Sequence, residues 1–341
     1  MVRALSLFSG SLASLVATRL VELSDGVDEV QLLSFRSPFF TDYERVREIA
    51  KRTWPAMQFR SQAINKDYQQ LVGILSTDEF SLARSCYYCR TLMLTRAAQY
   101  MKRIKADFIV TGEIEGSNGL TKCELERIST DAGISDLVLR PLSAKLLSPT
   151  RPEQAGWVNA ENLYDLQVGD KERLAKLAFT LNLVNQNLFD RFDRQDRCKL
   201  IRPNFGPRLA DLLCEKEFTL NGLRLLDFSY YYKKGPDVTI VLAIEIEEKR
   251  NLQNFFLPQD ARVYLPTHQG PLALVRTDWT AKKEDEIAEI IELAGRMIAI
   301  YSAAAHHEQI QINYRFENKN ETISRTISPF ADFNEINRYA V

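Results

Sequence analysis

The stretch VRALSLFSGSLASLVATRLVEL, residues 2–23, sets the reading of everything after it. Its first seven residues are mostly apolar and do not alternate, as in a strand buried on both faces, while residues 11–23 carry apolar side chains at helical spacing. Between them stands Ser9-Gly10-Ser11. A strand that ends in Ser-Gly and flows straight into a helix aims backbone N–H groups and the positive end of the helix dipole at one point, which suits a phosphate. Ser9, Ser11 and Ser14 add hydroxyl donors. A helix simply capped by serine uses the same turn, so the turn alone leaves both readings open.

Outward from this turn, EVQLLSF (29–35) and AMQFRSQAI (56–64) read as strands. DYERVREIAKR (42–52), with Asp42 as N-cap, and KDYQQLVGIL (66–75) read as helices. A polar loop then leads to Cys86, a helix over 88–105, the strand ADFIVTG (106–112), an irregular stretch and SDLVLRPLS (135–143). Strand and helix in alternation predict an α/β fold: a parallel sheet with helices on both faces. Residues 144–188 read as helical and charged around the loop SPTRPEQAGW. After them the composition changes to strand-like runs, two of them in 223–246 around a Lys-Gly-Pro turn, then ARVYLP, PLALVRT and IQINYRFE, with an amphipathic helix over 284–302. The expected organisation is a nucleotide-binding-like domain over 1–150, a helical connecting arm over 151–195, and a smaller α+β domain over 196–341.

With 341 residues, two domains of unequal size are the natural expectation. No apolar run approaches the ~20 residues that span a bilayer, which speaks against a membrane protein. The N-terminal apolar stretch is interrupted at Ser9, Gly10 and Ser11 and has no basic leader, so a cytoplasmic location is expected. A net charge of -1 supplies no global field toward nucleic acid, and RNA binding would need a local patch. Five cysteines, an odd number without an export signal, point to thiols, metal ligation or redox chemistry rather than a disulfide framework. Cys86 and Cys89 form a CxxC at the expected start of a helix, where the dipole favours thiolate. Zinc, an iron–sulfur cluster, a redox dithiol and plain packing all accept that spacing. Cys123 and Cys214 fall within helical apolar periodicity and read as bystanders.

Two further features return to the carboxyl edge of the same sheet: TGE (111–113), which includes Gly112, and RPLSAK (140–145). Together with LSLFSGSLASLVA, LSFRSPFF, CYYCRTLMLTRAAQYMKRIKADFIVTGE, LVLRPLSAKLLSPTRPEQAGWV and CKLIRPNFGPRLADLL, they give the chain a resemblance, in order and over nearly its whole length, to one family. It resembles the PP-loop ATP pyrophosphatases, which are adenine nucleotide alpha-hydrolase-like (HUP-like) proteins, and within them the tRNA thiouridine synthesis type. The family signature is Ser-Gly-Gly-x-Asp-Ser after the first strand. Here the second glycine is Ser11 and the aspartate is Ala13, and the family's Gly-Gln-Arg-Pro-Met-Ser-Gln block corresponds only loosely to GSNGLTK (116–122). In the intact family ATP adenylates a uridine oxygen, so that AMP leaves when sulfur attacks. Loss of the acidic ligand for Mg²⁺ and a Cβ at Ser11 imply that this step is impaired, with ATP and Mg²⁺ bound weakly if at all.

The resemblance also implies that Cys198 matches a third cysteine position, so that Cys86, Cys89 and Cys198 would hold a 4Fe–4S cluster with one open iron, zinc being the alternative. It makes Ser9, Gly10, Ser11, Ser14 and Gly112 the nucleotide-facing residues and tRNA the substrate. A persulfide relay among the thiols is a different way to move sulfur. Arg90, Arg96, Lys102, Arg103, Arg140, Lys145 and Arg151 form either a groove for RNA phosphates or an ordinary solvated face. SYYYKKG (229–235) offers aromatics for base stacking, although alternate tyrosines of a strand face opposite ways and at least one belongs in a core; Glu245, Glu247 and Glu248 count against RNA nearby. His268, His306 and His307 have no metal-site spacing. Two functions of different class follow. One is a sulfur-handling enzyme related to tRNA thiolation. The other is a catalytically inactive homologue that binds or regulates an active paralogue or a sulfur donor.

Overall fold

Strand β1 (Arg3–Leu7) runs between two parallel neighbours, β2 (Glu29–Arg36) and β4 (Phe108–Thr111), with Leu5 opposite Gln31 on one side and Ile109 on the other. Strands β3 (Phe59–Ala63) and β5 (Val138–Leu139) complete a five-stranded parallel sheet in the order β3-β2-β1-β4-β5. The computed structural model describes residues 1–40, 43–64, 82–184, 198–202, 204–214 and 219–341. The expected helix over 66–75 and the Asp42 cap lie outside them. The chain divides into two compact units, Met1–Arg202 and Pro203–Val341.

In the first unit the strand residues alternate between two buried faces, which is why β1 and β4 read as mostly apolar runs without alternation. Ala4, Leu32, Phe108 and Val110 pack with α1 (Leu12–Glu22), α2 (Tyr43–Thr53) and residues further along the chain. On β1 and β4, Leu5 and Ile109 point the other way, toward the long helix α3 (Leu82–Ile104), beside which lies α4 (Lys122–Asp131). The first unit is therefore an α/β unit, a parallel sheet with helices on both faces. Its outer parts include the short helix α5 (Arg151–Gln154) and α6 (Lys171–Thr180). Leu163, Leu166 and Ala178, from the stretch read as a connecting arm, are buried in this unit's core, and much of that stretch is irregular rather than helical. Inside the sheet, Ser6 Oγ and Thr18 Oγ1 share a hydrogen bond of 2.7 Å that ties β1 to α1.

The second unit opens with two helices, α7 (Phe205–Cys214) and α8 (Leu220–Leu225), and a third, α9 (Ile246–Leu252), follows its first two strands. Its sheet is six-stranded, ordered β11-β10-β8-β9-β7-β6, and every pairing is antiparallel. The strands are β6 (Tyr230–Lys234), β7 (Val238–Ala243), β8 (Ala261–Tyr264), β9 (Leu272–Arg276), β10 (Ile310–Phe316) and β11 (Ile323–Ile327). One face packs on α10 (Glu284–Ile300), with Ile240, Val263, Val275 and Ile312 meeting Ile291, Ala294 and Met297 in a common core. Near the end of the unit, α11 (Phe333–Asn337) leads to Tyr339 and Ala340, which run along β6: the Lys233 N–H donates to the Tyr339 carbonyl at 2.8 Å. This is the smaller α+β unit expected from the sequence.

Candidate functional site

The order of strands reverses between β1 and β4, and in an open parallel sheet the crevice beyond that reversal is where ligands bind. The Ser9-Gly10-Ser11 turn leaves β1 there. Gly10 has φ +67°, a left-handed conformation in which a side chain is strained, and it lies buried within the turn. Ser11 caps α1: the Ser14 N–H donates to Ser11 Oγ at 3.1 Å. The Ser14 hydroxyl turns back to the Ser11 carbonyl at 2.9 Å, and Ser9 Oγ donates to Ser11 Oγ at 3.0 Å. Across the crevice, Gly112 follows β4, and a Cβ added there would lie 2.6 Å from the Ser14 nitrogen and 2.7 Å from the Ala13 carbonyl carbon. Gly112 is thus required by the close approach of two backbones.

These elements enclose a cavity of about 490 Å³ in the first unit. Ser9, Ser11, Ser14 and Gly112 line it, and so do Cys86, Cys89 and Cys198. Seven of the eight residues singled out from the sequence therefore face one space, and the eighth, Gly10, shapes the turn. Cys86 and Cys89 come from α3 and are both buried. Cys198 belongs to the first unit, held by a backbone bridge to Phe40 and by a 2.8 Å bond from the Lys199 N–H to the Phe39 carbonyl. Among the described residues no three His, Cys, Asp or Glu side chains stand at metal-ligand spacing, so the thiols share a cavity wall rather than a closed tetrahedral arrangement.

The wall between the thiols and β4 carries the charge. Arg90, one residue beyond Cys89 on α3, donates from Nη1 to Glu113 Oε1 at 2.5 Å; Arg140 donates from Nε to Glu113 Oε2 at 2.7 Å, and Thr111 Oγ1 to the same oxygen at 3.1 Å. Burial by itself pushes the Glu113 carboxyl up, but the two guanidiniums, Arg140 first, outweigh it and hold it down to about 2. Two arginines on one carboxylate leave one positive charge in excess, and Arg90 is the member lining the cavity with Glu113. Among the described residues Glu113 is the one carboxylate that lines the cavity, and both its oxygens are engaged. Ala13 stands where the family signature has aspartate, and among the described lining residues no carboxylate oxygen is free for Mg²⁺.

Several expectations change here. The helix carrying the CxxC includes Leu82, so Cys86 lies beyond the first described turn, and burial pushes its thiol up to about 11 against the opposing pull of Arg90. A dipole-activated thiolate is therefore not what this environment favours, and a relay beginning at Cys86 starts from a protonated thiol. Arg140 is only 3% exposed and also donates to the Leu125 carbonyl at 2.9 Å, which removes it from any RNA groove; Lys145 reaches the Glu161 carbonyl at 3.3 Å. Tyr231 and Tyr232 are both buried, the latter sharing a 2.8 Å hydrogen bond with Tyr301, and Tyr230 packs against the Tyr301 ring, so SYYYKKG is core rather than a stacking surface. The Glu113 hub went unnoticed in the sequence. Its signal, an acid at a strand end followed 27 residues later by an arginine after the next strand, is common in α/β chains.

A family model described as NFACT protein RNA binding domain matches residues 232–340. No curated protein matches the chain. Among solved structures, the C-terminal part of the fibronectin/fibrinogen-binding protein from Streptococcus suis is similar at 12% identity, over 80% of this chain and 99% of that one, with a TM-score of 0.27. A predicted subunit of tRNA methyltransferase from Methanocaldococcus jannaschii is similar at 13% identity, over 52% of this chain and 75% of that one, with a TM-score of 0.33. NMN synthetase from Francisella tularensis is similar at 13% identity, over 53% and 83%, with a TM-score of 0.27. Among the described residues, no helix is long and apolar enough to cross a membrane.

Proposed function

We propose that the chain is a sulfur-handling protein that acts on tRNA, with the cavity of the first unit as its chemical site and the second unit as its RNA-binding part. The observation that carries this reading is the cavity: a phosphate-type turn after β1 and three thiols from distant parts of the chain line the same space. The family match over residues 232–340 supports RNA as the macromolecular partner. A sulfur donor is the further partner this function calls for, and an active paralogue is the partner of the alternative reading below.

Thiolates are soft donors suited to iron–sulfur clusters and zinc, and Cys86, Cys89 and Cys198 are the residues that would hold either. A 4Fe–4S cluster on three thiolates supplies one iron with an open position for sulfur. The chain's own part is to bury the donors, to set the Arg90 cation beside them against their negative charge, and to offer phosphate the N–H groups at the start of α1. ATP-driven adenylation is the impaired step of this reading, because Ala13 replaces the signature aspartate and Glu113, the carboxylate among the described lining residues, is fully engaged. That same feature favours the second reading, a catalytically inactive homologue that acts as a binding or regulatory partner.

Anaerobic purification followed by measurement of iron, acid-labile sulfide and zinc separates the two. Metal with sulfide in the parent that disappears in a Cys86→Ala, Cys89→Ala, Cys198→Ala variant supports the sulfur protein. Metal-free protein that folds equally well in both forms leaves the inactive homologue. Thermal unfolding with ATP, with and without Mg²⁺, tests the nucleotide separately: a ligand at a hundredfold its Kd stabilises by about 2.7 kcal/mol.

A further inference from the structure

The sheet of the second unit has two unlike halves on the face turned away from α10. Over β6, β7 and β9 that face is closed: Tyr231, Thr239, Val241 and Leu274 are all buried. Toward the other edge the cover ends. Register places Tyr264 of β8, Asn313 of β10 and Ser324 of β11 in one row across three strands, with Gln311 and Thr326 paired in a neighbouring row. These side chains share the outer face because Val263, Ile312 and Tyr314, one residue away in each direction, belong to the α10 core. Gln311, Ser324 and Thr326 are exposed, and Tyr264 and Asn313 half-buried.

The chemistry of this half-face is an aromatic ring among neutral hydrogen-bonding groups, backed by cations. Asn313 Oδ1 accepts from Ser324 Oγ at 2.8 Å, which fixes its amide. On the side of Tyr264 away from Gln311, Arg315 and Arg262 pair across β10 and β8 and share Glu317, at 3.8 and 2.7 Å, so that two cations face one carboxylate. Residues 232–340 as a whole are acidic, with 13 Lys and Arg against 16 Asp and Glu, but five of those acids lie on α10, on the opposite side of the sheet. Those five charges are turned away from the open face.

We propose that this open half-face is a platform for unpaired RNA nucleotides, with Tyr264 stacking on a base, Gln311 and Asn313 meeting base edges, and Arg315 backing a phosphate. It rests on the RNA-binding reading above and adds the face to it. Paired RNA would need a longer track of cations, whereas a single strand uses an aromatic, amides and few charges.

The test is fluorescence anisotropy of a labelled single-stranded RNA oligonucleotide, and of a tRNA transcript, with the full chain. Tyr264→Ala is expected to weaken binding by about 10-fold or more, the usual loss on removing one stacking aromatic. Thr326→Glu, at an exposed position with no packing role, is expected to weaken it through charge, and Arg315→Gln to flatten its salt dependence. Glu289→Gln on α10 leaves it unchanged. Wild-type binding that survives Tyr264→Ala and Thr326→Glu unchanged overturns the platform while leaving RNA binding intact. A wild-type chain that binds neither RNA overturns both.

Discussion

Two buried acid–arginine clusters, one in each unit, differ in a way that bears on function. In the second unit Asp260 is fully buried and receives a two-pronged grip from Arg276, Nε at 2.8 Å and Nη2 at 2.7 Å, plus the Leu257 N–H at 2.7 Å. Arg276 spends its remaining donors on Asn221 and the Phe255 carbonyl. One acid meets one base, the hydrogen bonds close, and the cluster fixes the loop before β8 to the sheet. In the first unit Glu113 meets two arginines, and one of them faces the cavity beside the thiols. A matched pair inside packing is a structural device. A cluster with one positive charge in excess at a cavity wall favours an anion or thiolate ligands there.

The comparison can be broken most sharply at Asp260. Asp260→Ala strands the Arg276 charge and is expected to destabilise the second unit by about 3–5 kcal/mol, read by denaturant unfolding of the Trp279 signal. A variant with unchanged midpoint removes the structural role. Next in size is the acid sensitivity of Glu113. Its carboxyl titrates at 4.5 when unperturbed and at about 2 in the folded chain, so its stabilisation is complete above the first value and disappears as pH falls through the second. That stabilisation amounts to roughly 3 kcal/mol. Unfolding of the first unit, followed through Trp54 and Trp157, should lose that much between those pH values, and a Glu113→Gln chain should lose less of it.

Gly112→Ala tests whether the crevice depends on backbone contact. The new Cβ would stand 2.6 Å from the Ser14 nitrogen, and a loss of about 1–3 kcal/mol is expected, with the cavity distorted; a neutral result would mean that β4 and α1 slide apart without cost. The smallest effect is expected at the cap. Ser11→Ala removes the acceptor for the Ser14 N–H and should cost about 1 kcal/mol. If it also abolishes stabilisation by inorganic phosphate or ATP, the hydroxyl serves the ligand as well as the helix.

Much of the first unit could be read from the chain because its strands are buried on both faces and its helices are amphipathic; β1, α1, β2 and β4 match their expected positions within about two residues. Helix α4 was missed as an irregular stretch, since only Leu125, Ile128 and Ser129 are buried on it, yet Thr121 and Glu124 form the reciprocal cap that marks a helix start. Strand β11 was also missed: ISRTI shows three exposed residues out of five, as an edge strand does. At the site, the residue types were legible and their surroundings were not. Nothing local to Cys86 says that it will be buried past a helix's first turn, and nothing local to Glu113 says that two arginines will find it. Those facts belong to the packing of segments far apart in sequence.

The strap formed by Tyr339 and Ala340 along β6 limits how copies of the chain can associate. A β-sheet with two bare edges is a template that can grow without end, each added copy presenting the next edge. Here one edge is already met by the chain's own backbone at Tyr232 and Lys233, and among the described residues β11 is the edge left bare in the second sheet. Two copies that joined through β11 would each spend the edge they had. Pairing by that route stops at two and cannot seed a fibre.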